Sequence, residues 1–160
     1  MTIEEDFVFP VYIHHKVLSK IKKTCKNFKR EIFGYLVGEI FIWKEQKYSV
    51  IKDQIFIKAG TESHKFFTTH SGLTTGLFDD EFKELKRERK NDNLWIVGWW
   101  HSHPGFGCFL SSEDIATQQT FFPDTYQVAL VIDPIKDEFN FFNLDNSKSG
   151  YKPISFAIIS

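Results

Sequence analysis

Residues 94–114 read LWIVGWWHSHPGFGCFLSSED, an apolar run, two histidines, a glycine-bearing loop and a helix start in succession. Leu94 to His103 is apolar on both faces, which predicts a central strand. Residues two apart in a strand share a face and lie roughly 6.6 Å from each other. His101 and His103 are therefore expected to present two imidazoles side by side, with Trp95, Val97 and Trp99 as a dry wall behind them. Gly105 and Gly107 let the loop turn sharply and bring the chain back towards the histidines. Ser111-x-x-Asp114 is a helix-start pattern with Asp114 in the first turn, which aims a carboxylate at the pair.

Two imidazole nitrogens and one carboxylate oxygen are the donor set expected of a catalytic zinc. A structural zinc would take a fourth protein ligand, usually Cys. The open position would hold water, with its pKa lowered to about 7. Each residue also has a purely architectural reading. The His pair can be two satisfied core histidines, Ser111 a helix cap, and Asp114 a complement to the helix dipole. Cys108 stands near enough to serve as a fourth ligand, but it reads instead as a small buried hydrophobe.

Outward from this segment, residues 14–28 follow an extended opening and read as a helix. Val17, Leu18, Ile21, Cys25 and Phe28 form one face, and seven Lys and Arg residues form the other. Such a face is expected to be solvated. Residues 31–43 and 48–57 read as strands, rich in β-branched and aromatic side chains. Ala59 to Gly76 is polar and Thr-rich and predicts a long loop. Residues 77–90 predict a helix with Leu77, Phe78, Phe82 and Leu85 inward, acids at its start and bases at its end. A third helix runs from near Ser111 to before Pro123, and strands follow at 126–132, 138–144 and 153–159. This order predicts an α+β fold, sandwich-like, with a mixed central β-sheet flanked by helices.

The 160 residues fit one ordinary domain spanning 1–160. Twenty basic and twenty-one acidic residues leave a formal charge of -1, so no overall field recruits nucleic acid or acidic lipid. Cys25 and Cys108 cannot build a disulfide framework, and neither belongs to a CxxC pair. The acidic opening MTIEEDFVFP lacks the layout of a signal peptide. Residues 32–43, the most apolar stretch, contain Glu39 and are too short to span a bilayer. The expectation is a cytoplasmic protein, with no nucleic-acid or membrane partner.

At this point the sequence resembles the JAMM (MPN-plus) metallopeptidases, the zinc isopeptidases of the proteasome lid and signalosome. Their pattern is Glu, a long gap, then His-[Ser/Thr]-His-x7-Ser-x2-Asp. Here it is met by His101-Ser102-His103, seven residues, Ser111, two residues and Asp114. GWWHSHPGFGCFLSSEDIATQQTFF is similar to the deubiquitinase branch, and VALVIDP fits the next strand. The upstream Glu opens a glycine-containing apolar strand in this family, a description that Glu31 in EIFGYLVG fits. Glu39 is its rival, at the far end of the same strand.

The resemblance implies a cytidine-deaminase-like MPN fold and one zinc ion per chain, held by His101, His103 and Asp114. Glu31 would take a proton from the attacking water and pass it to the leaving amine. Ser111 would donate to the oxyanion. The implied substrate is a ubiquitin or ubiquitin-like protein conjugate, whose extended tail the Ala59–Gly76 loop would cover by strand pairing. The sequence names no activating protein partner. No Cys or His beyond Cys108 is left for the second zinc of some chain-specific relatives, so a minimal catalytic domain is expected. Two other functions fit less of the pattern: a catalytically silent MPN scaffold, and a metallopeptidase for cell-wall or other small peptides.

Overall fold

The computed structural model describes residues 7–57 and 73–160. Within them the chain runs β1 (Val11–His14), α1 (His15–Lys26), β2 (Phe33–Trp43), β3 (Gln46–Phe56), α2 (Leu73–Arg89) and β4 (Trp95–Ser102). It continues through α3 (Ser112–Phe121), β5 (Val128–Asp133), β6 (Glu138–Leu144), β7 (Tyr151–Pro153) and β8 (Phe156–Ile159). The strands form one mixed sheet in the order β7-β6-β5-β4-β2-β3-β1-β8. The expected α+β arrangement is what the structure has, and β4 is central as its two apolar faces require.

The sheet curls. Tyr151–Pro153 extends one edge beside β6, and only two residues later Phe156–Ile159 extends the other edge beside β1. The three peptide steps from Pro153 to Phe156 span at most roughly 11 Å, so the sheet must bend until its margins approach. Phe156 touches Phe139 and Phe141 of β6 across the closure, with ring centroids 5.3 and 5.1 Å apart. The single strand expected over 153–159 is therefore two strands on opposite margins.

On the inner face, Val17, Leu18, Ile21 and Cys25 of α1 pack against Val97, Trp100, Leu130, Ile132 and Phe141. The α1 lysines at 16, 20, 23 and 26 lie exposed, as a solvated face requires. The outer face joins Phe33, Tyr35, Trp99, Ala129 and Val131 to Leu110, Phe122, and the half-buried Phe82, Leu85 and Ile115. Fully burying one side chain of this size is worth about 1.5–3 kcal/mol, so both faces contribute to stability.

Two further sequence expectations need correction. Trp99 does not share a face with Val97 and Trp95. Gly98, at φ +151°, carries a bulge where Leu36 pairs with Gly98 but Val37 pairs with Ile96. The unpaired Val97 reverses the alternation, so Val97 joins the inner core while Ile96 and Trp99 join the outer one, and Trp95 is 58% exposed. Only glycine fits there, because a Cβ would stand 2.0 Å from the Val128 carbonyl oxygen.

The second correction concerns the loop expected over Ala59–Gly76. Positions 59–72 lie outside the described residues, but Leu73 to Gly76 are helical. Thr74, Thr75 and Gly76 are weak helix formers and point to a loop by propensity. The i,i+4 spacing of Leu73 and Leu77 runs the other way, and the helix starts four residues earlier than expected.

Candidate active site

Strand register builds the site. Phe33 of β2 lies opposite His101 of β4 in an antiparallel ladder, so continuing outward sets Ile32 against Ser102 and Glu31 against His103. Ser102 secures that extension twice. Its N–H donates to the Ile32 carbonyl (3.0 Å), and its buried hydroxyl accepts from the Ile32 N–H (3.0 Å). His103, just beyond β4, donates its N–H to the Ile132 carbonyl at 2.9 Å, which prolongs the β4–β5 pairing. The residue between the two histidines thus fixes where Glu31 stands, a role its place in the motif did not reveal.

The third side chain arrives on α3. Ser111 caps this helix: its Oγ accepts from the Asp114 N–H (3.1 Å), and its own N–H donates to Asp114 Oδ2 (2.9 Å). This capping box satisfies two otherwise unpaired N–H groups and immobilises the Asp114 side chain. The same Oδ2 lies 3.2 Å from His101 Nε2 and 3.2 Å from His103 Nε2. The capping expected on the architectural reading is present, and it is also what aims the carboxylate at the two imidazoles.

The imidazoles are held differently. Nδ1 of His103 lies 3.1 Å from the Gly107 carbonyl, which can only accept, so Nδ1 carries the proton and Nε2 is free to ligate. His101 stacks on Trp99, with centroids 4.2 Å apart and planes at 15°. The Trp99 indole N–H in turn donates to Oε1 of the buried Gln118 at 2.7 Å. Gln118 is locked by its own amide, which donates to the Phe122 and Gln127 carbonyls, both at 3.0 Å.

Electrostatics follow from this crowding. Burial would raise the Asp114 carboxyl, but the charge of His101 and hydrogen bonds from His101, His103 and Ser111 outweigh it and hold the group far below the carboxylate range. Burial depresses His103, yet Asp114, then Glu31 and the Gly107 carbonyl, carry it above its ordinary value. Glu31 sits 3.5 Å from His103 Nε2 with its side chain 65% exposed. Glu39 is engaged elsewhere, by Lys52 and by the Asn91 amide. Cys108 is half-buried rather than buried as expected; it packs on the outer core, donates its S–H to the Val131 carbonyl, and burial raises its thiol.

The donor atoms of His101, His103 and Asp114 all lie within 4.8 Å of one another. Neither nitrogen of the buried His101 makes a well-formed hydrogen bond. A buried imidazole whose Nδ1 has no partner and whose Nε2 faces a second imidazole and a carboxylate has the donor chemistry of a divalent metal site. The residues present fit zinc.

Sequence reasoning missed Gln118 and Asp133. The Asp133 side chain, buried at the end of β5, accepts from four backbone N–H groups: Gly105, Gly107, Ile135 and Lys136. Burial pushes this carboxyl up, but the four donors outweigh it and hold it at about 2. Aspartate followed by proline signals a turn, yet its reach back to 105 and 107 needs the β4–β5 pairing.

Fold and site together set a His-His-Asp cluster with metal-ligand geometry on a curled mixed sheet. The family model described as JAB1/Mov34/MPN/PAD-1 ubiquitin protease matches residues 6–124, and the chain belongs to that family. It is 60% identical over 121 residues to the 26S proteasome regulatory subunit RPN11 of Encephalitozoon cuniculi, covering 75% of this chain and 38% of that protein. It is 32% identical over 143 residues to the ubiquitin carboxyl-terminal hydrolase RPN11 of Saccharomyces cerevisiae, covering 84% of this chain and 42% of that protein. The chain thus spans about two fifths of the length of these relatives. Among solved structures, protein DSY2949 of Desulfitobacterium hafniense superposes with a TM-score of 0.64 at 17% identity, covering 94% of this chain and 93% of that one, which shows the shared fold.

Among the described residues no helix is long and apolar enough to cross a membrane.

Proposed function

We propose that this chain is a zinc-dependent isopeptidase that removes ubiquitin or a ubiquitin-like modifier from conjugates. The observation that carries the reading is the convergence of both histidine Nε2 atoms on one Asp114 oxygen, with Glu31 beside them. Membership of the family and the names of its RPN11 relatives support the substrate class.

His101, His103 and Asp114 would hold the ion. Zinc, when bound, supplies Lewis-acid polarisation of the scissile carbonyl and makes water a better nucleophile at neutral pH. Glu31 accepts a proton at a carboxylate oxygen from the attacking water, then delivers it to the leaving amine nitrogen. Its exposed side chain has the freedom this shuttle needs. The Ser111 oxygen already accepts from the Asp114 N–H, so its hydroxyl proton is available to donate to the carbonyl oxygen as negative charge develops there. Trp99 and Phe109 lie against the two imidazoles, with ring centroids 4.2 and 4.7 Å away.

Elemental analysis and a cleavage panel test this together. One zinc per chain and chelator-sensitive cleavage of a ubiquitin–lysine conjugate are expected, both lost in His103→Ala. Full zinc occupancy in that variant would sink the ligand assignment. Cleavage of small peptides alone would point to a general peptidase, and neither zinc nor cleavage to a silent scaffold.

A further inference from the structure

Asp133 lies outside the His-His-Asp-Glu set, yet its two oxygens divide their labour towards it. Oδ1 accepts from Gly105, Ile135 and Lys136 at 2.9, 3.0 and 3.0 Å, which ties the loop after β4 to the turn after β5. Oδ2 accepts from Gly107, at 2.8 Å, and from no other donor among the described residues. Gly107 is also the residue whose carbonyl receives the His103 Nδ1 proton. It adopts a φ of +82°, so a conformation few residues tolerate is held from its N–H side by a buried carboxylate.

We infer that Asp133 is a positioning residue for the metal site, acting through Gly107 to fix the ring orientation and protonated nitrogen of His103. This rests on the zinc-isopeptidase reading, with Asp133 never touching ion or substrate. A His ligand almost always anchors its other ring nitrogen on an acceptor, which keeps the ligating nitrogen aimed, and losing such an anchor typically costs about 10–100-fold in metal affinity. His101 achieves the same end by stacking on Trp99, so the dependence falls on one histidine and not the other.

Asp133→Asn isolates the effect. Three N–H donors favour the amide oxygen in the Oδ1 place, leaving an NH2 group against the Gly107 N–H. Zinc affinity by chelator competition should fall about 10–100-fold, and kcat should fall with little change in KM. NMR should show the His103 Nδ1 proton exchanging with solvent about tenfold faster or more, as expected once its acceptor is no longer held. Asp145→Asn, which loosens a different turn centred on Ser147, should leave all three unchanged. Wild-type zinc affinity and His103 exchange in folded Asp133→Asn would overturn the proposal.

Should that variant not fold, the wild type decides: His103 Nδ1–H must exchange much more slowly than the N–H of a free imidazole, and a free-imidazole rate overturns the proposal. Exchange is measured with and without zinc, so failure of the wild type to bind zinc counts against the metal reading alone.

Discussion

Asp114 and Glu31 carry the same charged group to the same imidazole and are built in opposite ways. Asp114 enters on the first turn of a helix, is 15% exposed, and is gripped by Ser111 and both histidines. Glu31 precedes a strand, is placed only through its neighbour Ile32, and leaves its side chain in solvent. A ligand must stay where it is, whereas a proton carrier must reach two partners in turn. On the proposed function, immobility and freedom, more than residue type, distinguish the two roles.

The largest expected effect comes from removing the fixed member. Asp114→Ala should lose zinc and measurable conjugate cleavage, and the broken capping box should cost about 1 kcal/mol of stability, read by denaturant titration. Glu31→Gln should keep zinc and fold but lose roughly 10²–10⁴ in rate. Glu39→Gln should keep its rate and give up about 0–1 kcal/mol with its Lys52 pair. Reversal of those two outcomes would mean that the contrast has been drawn with the wrong glutamate.

The smallest effect is a pH profile of zinc-free protein. Asp114 is held below its ordinary 3.8, so the stability it contributes is full above pH 3.8 and lost as pH falls from there through the folded value. His103 is held above its ordinary 6.5, so its contribution is full below pH 6.5 and lost as pH rises through the folded value. The melting temperature should therefore peak between those values. Asp114→Asn should flatten the peak by about 2–4 °C per kcal/mol lost. A peak of undiminished height in Asp114→Asn would show that the locked pair contributes nothing to folding.

Much of this contrast was legible in the sequence because its parts are local. Alternation places His101 and His103, and a helix-start pattern places Asp114, with no knowledge of distant contacts. Glu31 needed the resemblance, since its place depends on a β2–β4 register across 70 residues, from Ile32 to Ser102. The Gly98 bulge was illegible for another reason. One unpaired residue reverses every face behind it, and a glycine in an apolar run reads equally as ordinary strand. Asp133 hid because its four partners are backbone groups, which leave no side-chain signature. The split of the last strand hid because short segments such as Tyr151–Pro153 and Phe156–Ile159 carry too little pattern to name their neighbours.

That split has a kinetic consequence. Val11 pairs with Phe156, residues 145 positions apart, in a parallel ladder. Non-local pairings of this kind form late, because loop closure must be met before contacts reward it. On the ribosome, β1 and β6 each wait with an open row of N–H and C=O groups until residues 151–159 emerge, and an open row templates strands from other chains. Residues 151–159 cover both rows, one beside β6 and the other beside β1, and so remove both templates together.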